Sequence, residues 1–297
     1  MELKKLWLAD QVTKLLRYEP MSSEILMVAE ERIKYLQSNQ VLDDPIIDEK
    51  LQQQLNRIDA LRDEWIDKRP QNATQKTKLE EYFHIDYTYE SNRIEGNTLS
   101  LQETHLVINE GMTIGGHSIV EHLEAINHQG AIGFIDELMT EHAKLNRRTV
   151  MELHRLVLKG IDDDNAGRIR KIPVRISGSK HEPPQPYLLD KMMEDYFAHY
   201  KMQSARMHPV LLAAEMHERL VTIHPFVDGN GRTSRLIMNL VLLQNGYTIA
   251  ILKGDDRSRL SYYRALESVQ VDGRTLPFHQ LVADAVEASL KAHLALC

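Results

Sequence analysis

The chain has 297 residues, 42% of them hydrophobic and 27% charged, which excludes a disordered or collagen-like polymer. Lys and Arg number 36 against 43 Asp and Glu, a net charge of −7, so general nucleic-acid binding through a dominant basic surface is not expected. The only cysteine is Cys297, so no intrachain disulfide or cysteine-based metal site can form, and no apolar run approaches the roughly 20 residues of a bilayer span. The expectation is a cytoplasmic protein with no membrane partner.

Along the chain, apolar residues recur at spacings of three and four, the signature of amphipathic helices. Leu6, Leu8, Val12, Leu15 and Leu16 form the first such face, and the pattern returns over about 23–38, 45–67, 78–95, 118–140, 147–159, 186–201, 208–222, 230–246, 257–270 and 278–295. The expected fold class is mainly α. The stretch 67–77 (DKRPQNATQKT) has no apolar period and reads as a linker, which divides the chain into a helical N-terminal extension over 1–75 and a larger domain over 76–297. Residues 166–185 carry spaced Ile169, Val174 and Ile176, then Gly178 and the pair Pro183-Pro184, a pattern for a short β-hairpin or extended flap. TIAIL (248–252) is a second candidate strand, too short to assign from periodicity alone.

The run that carries chemistry is HPFVDGNGRTSR, 224–235, between two amphipathic segments, so it reads as a tight loop entering a helix N-terminus. A helix start offers unpaired N–H groups and the positive end of the dipole, and so attracts anions. Gly229 and Gly231 permit positive φ and close approach of a phosphate. Arg232 and Arg235 suit bidentate phosphate contacts, Asp228 is a hard oxygen ligand for Mg²⁺, and His224 titrates near neutrality and can act as general base. Singly, each has an ordinary explanation in a turn, a salt bridge or a buried histidine. Together, within twelve residues, they are the parts needed for attack on a phosphoryl group. No P-loop, dinucleotide fingerprint or zinc-protease helix is present.

This run resembles the signature of the Fic family, His-x-Phe-x-Asp/Glu-Gly-Asn-Gly-Arg-x-x-Arg, at every fixed position. The resemblance implies a Fic-type helical domain with a β-hairpin flap, transferring AMP from ATP to a hydroxyl side chain of a target protein. His224 would deprotonate the target hydroxyl, Asp228 would hold Mg²⁺ or Mn²⁺, and Gly229, Asn230 and Gly231 would form the anion hole. Arg232 and Arg235 would bind the phosphates, and Phe226 would anchor the loop. Segment 166–184 resembles the family's flap, in which Val174, Arg175 and Ile176 would pair with the target's main chain. Segment 257–270 resembles the helix lining the nucleobase pocket, which assigns Tyr263 and Gln270 to the base, with Gln270 standing where the family often has Asn. The resemblance spans about 80–297.

Upstream, Ser91 to Asn97 (SNRIEGN) resembles the family's inhibitory motif, placed on a helix at about 78–96. On that likeness Glu95 pairs with Arg235 and occupies the space of the ATP γ-phosphate, with Ser91 one helical turn earlier on the same face. The implied protein is a self-restrained adenylyltransferase with ATP and an unidentified target protein as partners, a homodimer being left open. The alternatives are hydrolytic removal of AMP from the same target, or a nucleotide-binding regulatory or adaptor protein with negligible turnover.

Overall fold

The computed structural model describes residues 47–297, and the helical faces expected before residue 38 lie outside them. Ten α-helices are present among the described residues: α1 (Glu49–Lys68), α2 (Ala73–Ile94), α3 (Leu101–Asn109), α4 (Ile119–Thr140), α5 (Arg147–Leu158), α6 (Leu189–Gln203), α7 (Pro209–Ile223), α8 (Asn230–Gln244), α9 (Asp256–Asp272) and α10 (Leu276–Leu294). Their ends follow local chemistry. Ser100 with Glu103 and Ser118 with Glu121 form reciprocal capping boxes at the starts of α3 and α4. Asp48, Asn72 and Asp255 accept first-turn N–H bonds for α1, α2 and α9. Gly273, at φ 67°, stops α9.

Helices α7 and α8 form the centre, and their buried residues cover nearly the whole circumference of each. Leu220, Met216, Leu236, Ile237 and Leu240 are fully buried between them. Helix α10 lies against α7 and α1, α4 against α2 and α5, and α8 also touches α4 and α5. Thus α8 begins inside a ring of helices, at the place where 224–229 enters.

Three expectations change. The described part of the expected extension contributes Leu51, Leu55 and Ile58, all essentially inaccessible, to the same core as α7 and α8. The expected linker shortens to about four residues, because the Asn72 side chain caps α2 and starts it at Ala73. No strand occurs among the described residues, so the hairpin at 166–185 is an irregular loop. Within it the backbone makes one turn bond, Ser179 N–H to Ile176 C=O at 3.2 Å, and Arg170 takes over the bridging: its guanidinium donates to the carbonyls of Ile172 (2.9 Å) and Pro184 (2.5 Å) at the loop's two ends. The candidate strand at 248–252, which periodicity leaves unassigned, has no strand beside it among the described residues. The side-chain amide of Asn239 serves instead, donating to Ala250 C=O at 3.1 Å and accepting its N–H at 2.8 Å. The nine-residue α3 was too short for the periodicity to declare, although its Ser100-x-x-Glu103 box was in the sequence.

Candidate active site

The loop between α7 and α8 is built by side chains that close on its backbone. His224 ends α7 in the left-handed region, at φ 49° and ψ 58°. Its Nδ1 lies 3.2 Å from Val221 C=O, an acceptor only, so Nδ1 carries the proton and Nε2 the lone pair. Burial, reinforced by the nearby Arg170 cation, depresses its pKa to about 4. The ring is therefore a neutral, ready base at physiological pH.

Phe226 is fully buried and stacks on His154 with ring centroids 3.6 Å apart and planes within 6°. Asn230 does not spend its amide on an anion: it accepts from Phe226 N–H and donates to Phe226 C=O, each at 3.0 Å, closing the loop. His154 sits beneath. Gly167 N–H donates to its Nδ1 at 2.9 Å, which leaves the Nε2 proton to bond Asp228 C=O at 3.0 Å. Gly229, at φ 73°, crosses so near this ring that a Cβ would come within 3.3 Å of it. Sequence reasoning missed His154, whose only signal was a polar ring on the apolar face of α5.

Helix α8 has no side-chain cap, so the N–H groups of Asn230, Gly231 and Arg232 point into the site unpaired within the helix. The carboxylate of Glu95 stands there. A Cβ on Gly231 would fall 2.3 Å from Glu95 Oε1, so only glycine admits that oxygen at the helix start. The same oxygen accepts from Arg235 NH2 at 2.6 Å. Arg235 is 1% exposed and fully engaged: Nε donates to Ser91 Oγ (2.9 Å), NH2 to Ser91 C=O (2.9 Å), and NH1 faces Tyr262 Oη at 3.4 Å. Burial opposes the Arg235 charge, but the Glu95 carboxylate, together with Tyr262 and Tyr87, offsets it and holds the guanidinium cationic.

The other loop arginine is also held by carboxylates. Arg232 donates to Glu124 Oε1 at 2.7 Å and to Asp228 Oδ2 at 3.1 Å, leaving its buried Nε without a partner among the described residues. Glu124, on α4, was not anticipated; its second oxygen accepts from Asn97 Nδ2 at 2.9 Å, just past the Glu95 turn. Asp228 projects its carboxylate outward, 62% exposed. It fits a Mg²⁺ held by one protein carboxylate with phosphates and water supplying the rest; no group of three metal-ligand side chains exists among the described residues.

Around this centre the remaining expected residues are spread. Tyr263 is 41% exposed and its hydroxyl donates to Ile94 C=O at 3.1 Å, the peptide preceding Glu95. Tyr262, unassigned by sequence, is the buried one of the pair, against Arg235 and His217. Gln270 keeps a buried Nε2 without a partner. Val174, Arg175 and Ile176 lie in the loop beyond Arg170, where only the Ile176 carbonyl has a backbone partner among the described residues.

Known proteins share this fold. The Fic/DOC family profile matches residues 144–242, from just before α5 through most of α8. A solved structure, Fic-1 (residues 134–508) from C. elegans, superposes with a TM-score of 0.75 at 31% identity, covering 94% of this chain and 78% of that one. The chain belongs to the Fic/DOC family. The "Protein adenylyltransferase Fic" of Drosophila grimshawi is 38% identical over 224 residues, 75% of this chain and 45% of that protein, so the chain spans under half the length of this curated relative. A Fic-domain-containing signaling protein from Bacteroides thetaiotaomicron shares the fold, with a TM-score of 0.74 at 24% identity. Within the Fic fold, the loop from His224 to Arg235 is where a buried neutral imidazole, an uncapped helix start and two arginines converge.

Proposed function

We propose that the chain is an autoinhibited protein adenylyltransferase. The observation that carries this reading is the Glu95 carboxylate at the uncapped start of α8, bonded to Arg235 where a polyphosphate would bind. With Glu95 withdrawn, the N–H groups of α8 and the donors of Arg232 and Arg235 face the phosphates of ATP. His224 Nε2 takes the proton of a target Ser, Thr or Tyr hydroxyl. The hydroxyl oxygen forms a bond to the α-phosphorus, the bond from that phosphorus to the bridging β-phosphate oxygen breaks, and pyrophosphate leaves. Asp228 would hold Mg²⁺ or Mn²⁺, which neutralises charge on the phosphates. The unpaired backbone at Val174 and Arg175 suits β-augmentation by the target's main chain, with Ile176 alongside. Tyr263 and Gln270 are the side chains for the nucleobase.

Incubation with α-labelled ATP and Mg²⁺ tests the reaction: covalent label and a mass increase of one AMP on protein in the Glu95→Gly variant support it, and bound but unreacted ATP in that variant refutes it in favour of a sensor. The second reading, removal of AMP, is favoured by one contact pattern. Glu95 Oε2 has no partner among the described residues, and the Glu95 charge reaches His224, a geometry for holding water near the base. Loss of label from pre-modified Glu95→Gly protein on adding wild type identifies that hydrolysis. Exposed Ile119 and Val120 at the start of α4 suit a second copy as partner, and the single cysteine suits a cytoplasmic setting. No helix among the described residues is long and apolar enough to cross a membrane.

A further inference from the structure

Arg170 is the most conspicuous charge that the chemistry above does not use. It is 3% exposed and has no carboxylate within ion-pair distance among the described residues. Its guanidinium is divided among three carbonyls: Nε to His224 (2.8 Å), NH1 to Ile172 (2.9 Å) and NH2 to Pro184 (2.5 Å). Its own N–H donates to Pro225 C=O at 2.9 Å. Four bonds therefore join both ends of the 172–184 loop to the two consecutive peptides that follow the His224 and Pro225 α-carbons.

Those peptides matter because His224 is one of only two non-glycine residues with positive φ among the described residues. A left-handed conformation is unfavourable for a residue with a Cβ and persists only where surroundings impose it. The carbonyl bond from Arg170 fixes the peptide on one side of that strained residue, while the α7 bond from His224 N–H to Leu220 C=O fixes the other. Lysine could not substitute: three acceptors in three directions match a planar fork, not a single ammonium.

We infer that Arg170 is a positioning residue, which orients the His224 ring by holding its αL backbone and seats the 172–184 loop through the same guanidinium. The inference rests on His224 being the base, as proposed above. Base orientation and the presentation of residues 174–176 are then one structural event, independent of the nucleotide pocket, whose walls on α2, α8 and α9 Arg170 does not touch.

The test uses the full chain in the Glu95→Gly background, with Arg170→Met and Arg170→Lys. Three quantities are read: self-labelling rate with α-labelled ATP, Kd for a non-hydrolysable ATP analogue by calorimetry, and amide exchange over 171–185 and 224–231. Both variants should label about 100-fold more slowly, bind the analogue within about a factor of three of the parent, and exchange faster in both segments at once. A rate close to the parent's, full rescue by lysine, exchange that rises in neither or only one segment, or parallel loss of analogue binding overturns the inference; so does failure of both variants to fold, which would make Arg170 purely structural. If the parent itself does not label, the adenylyltransferase reading falls, and the exchange comparison still decides the role of Arg170.

Discussion

His224 shows how much a single residue's setting determines. Its depressed pKa, about 4, means that transfer governed by this base should be nearly independent of pH from about 5.5 upward and should fall only as pH drops toward 4. A histidine at its ordinary value of 6.5 would already lose about tenfold between pH 7.5 and 5.5, so the profile of labelling rate separates the two. His224→Ala should lower the rate by about 10²–10⁴ while leaving nucleotide affinity unchanged, because in the proposed reaction the ring meets the hydroxyl and not the nucleotide. For Glu95→Gly the sign reverses: labelling should rise at least about tenfold, since even about 1.4 kcal/mol of restraint on Arg235 is that factor. Adding Arg235→Ala should cancel the gain. Asp228→Ala should lower activity and weaken its dependence on added Mg²⁺; full activity in excess EDTA would refute the metal-binding role.

At the level of elements, the helices were legible because their apolar faces repeat over many residues, and the motif loop because its residue types, ordinary one by one, occur together within twelve residues. What the sequence hid were contacts with no period. His154, Arg170, Glu124 and Asn239 each act across a long stretch of chain, on a carbonyl, an N–H or a partner side chain that no local pattern announces. The hairpin reading of 166–185 and the candidate strand at 248–252 share a cause: apolar alternation signals an extended chain with a buried face but says nothing of what pairs its backbone, and here side chains do. Asn239→Leu makes this measurable. It keeps the branched outline and heavy-atom count of the side chain and orphans both the N–H and C=O of Ala250 in the core. The expected cost is about 2–5 kcal/mol in denaturant unfolding; a loss below about 1 kcal/mol would mean that the segment finds other partners.

For the molecule as a whole, buried titratable groups set the pH of greatest stability. His84, His154, His224 and His293 are each lowered by burial to about 4 from 6.5, so the unfolded chain binds protons over that interval that the folded one refuses. Stability from these groups is full above pH 6.5 and is lost as pH falls toward 4. Glu218 and Asp136 act oppositely: burial raises them to about 8 and about 6, so each favours the folded chain below those values and loses that contribution as pH rises. Four groups outweigh two below pH 6.5, and above it Glu218 dominates. The melting temperature should therefore peak near pH 6.5, fall clearly by pH 5 and decline gently toward pH 8. A monotonic rise from pH 5 to 8 would contradict this balance.

The Glu95 carboxylate, set against Gly231, leaves no room for a second anion at the same point. If a polyphosphate binds there as proposed, it and the glutamate are mutually exclusive occupants of one volume and so thermodynamically linked: its observed affinity equals its intrinsic affinity multiplied by the fraction of molecules whose glutamate has withdrawn. Any macromolecule that prefers the withdrawn state then tightens the nucleotide by some factor, and the nucleotide must tighten that macromolecule by the same factor. An unlabelled triphosphate analogue is thus itself a means of finding the activator: a partner that grips this chain more firmly when the analogue is present is one that draws Glu95 out, whereas one that grips it less firmly holds the glutamate in.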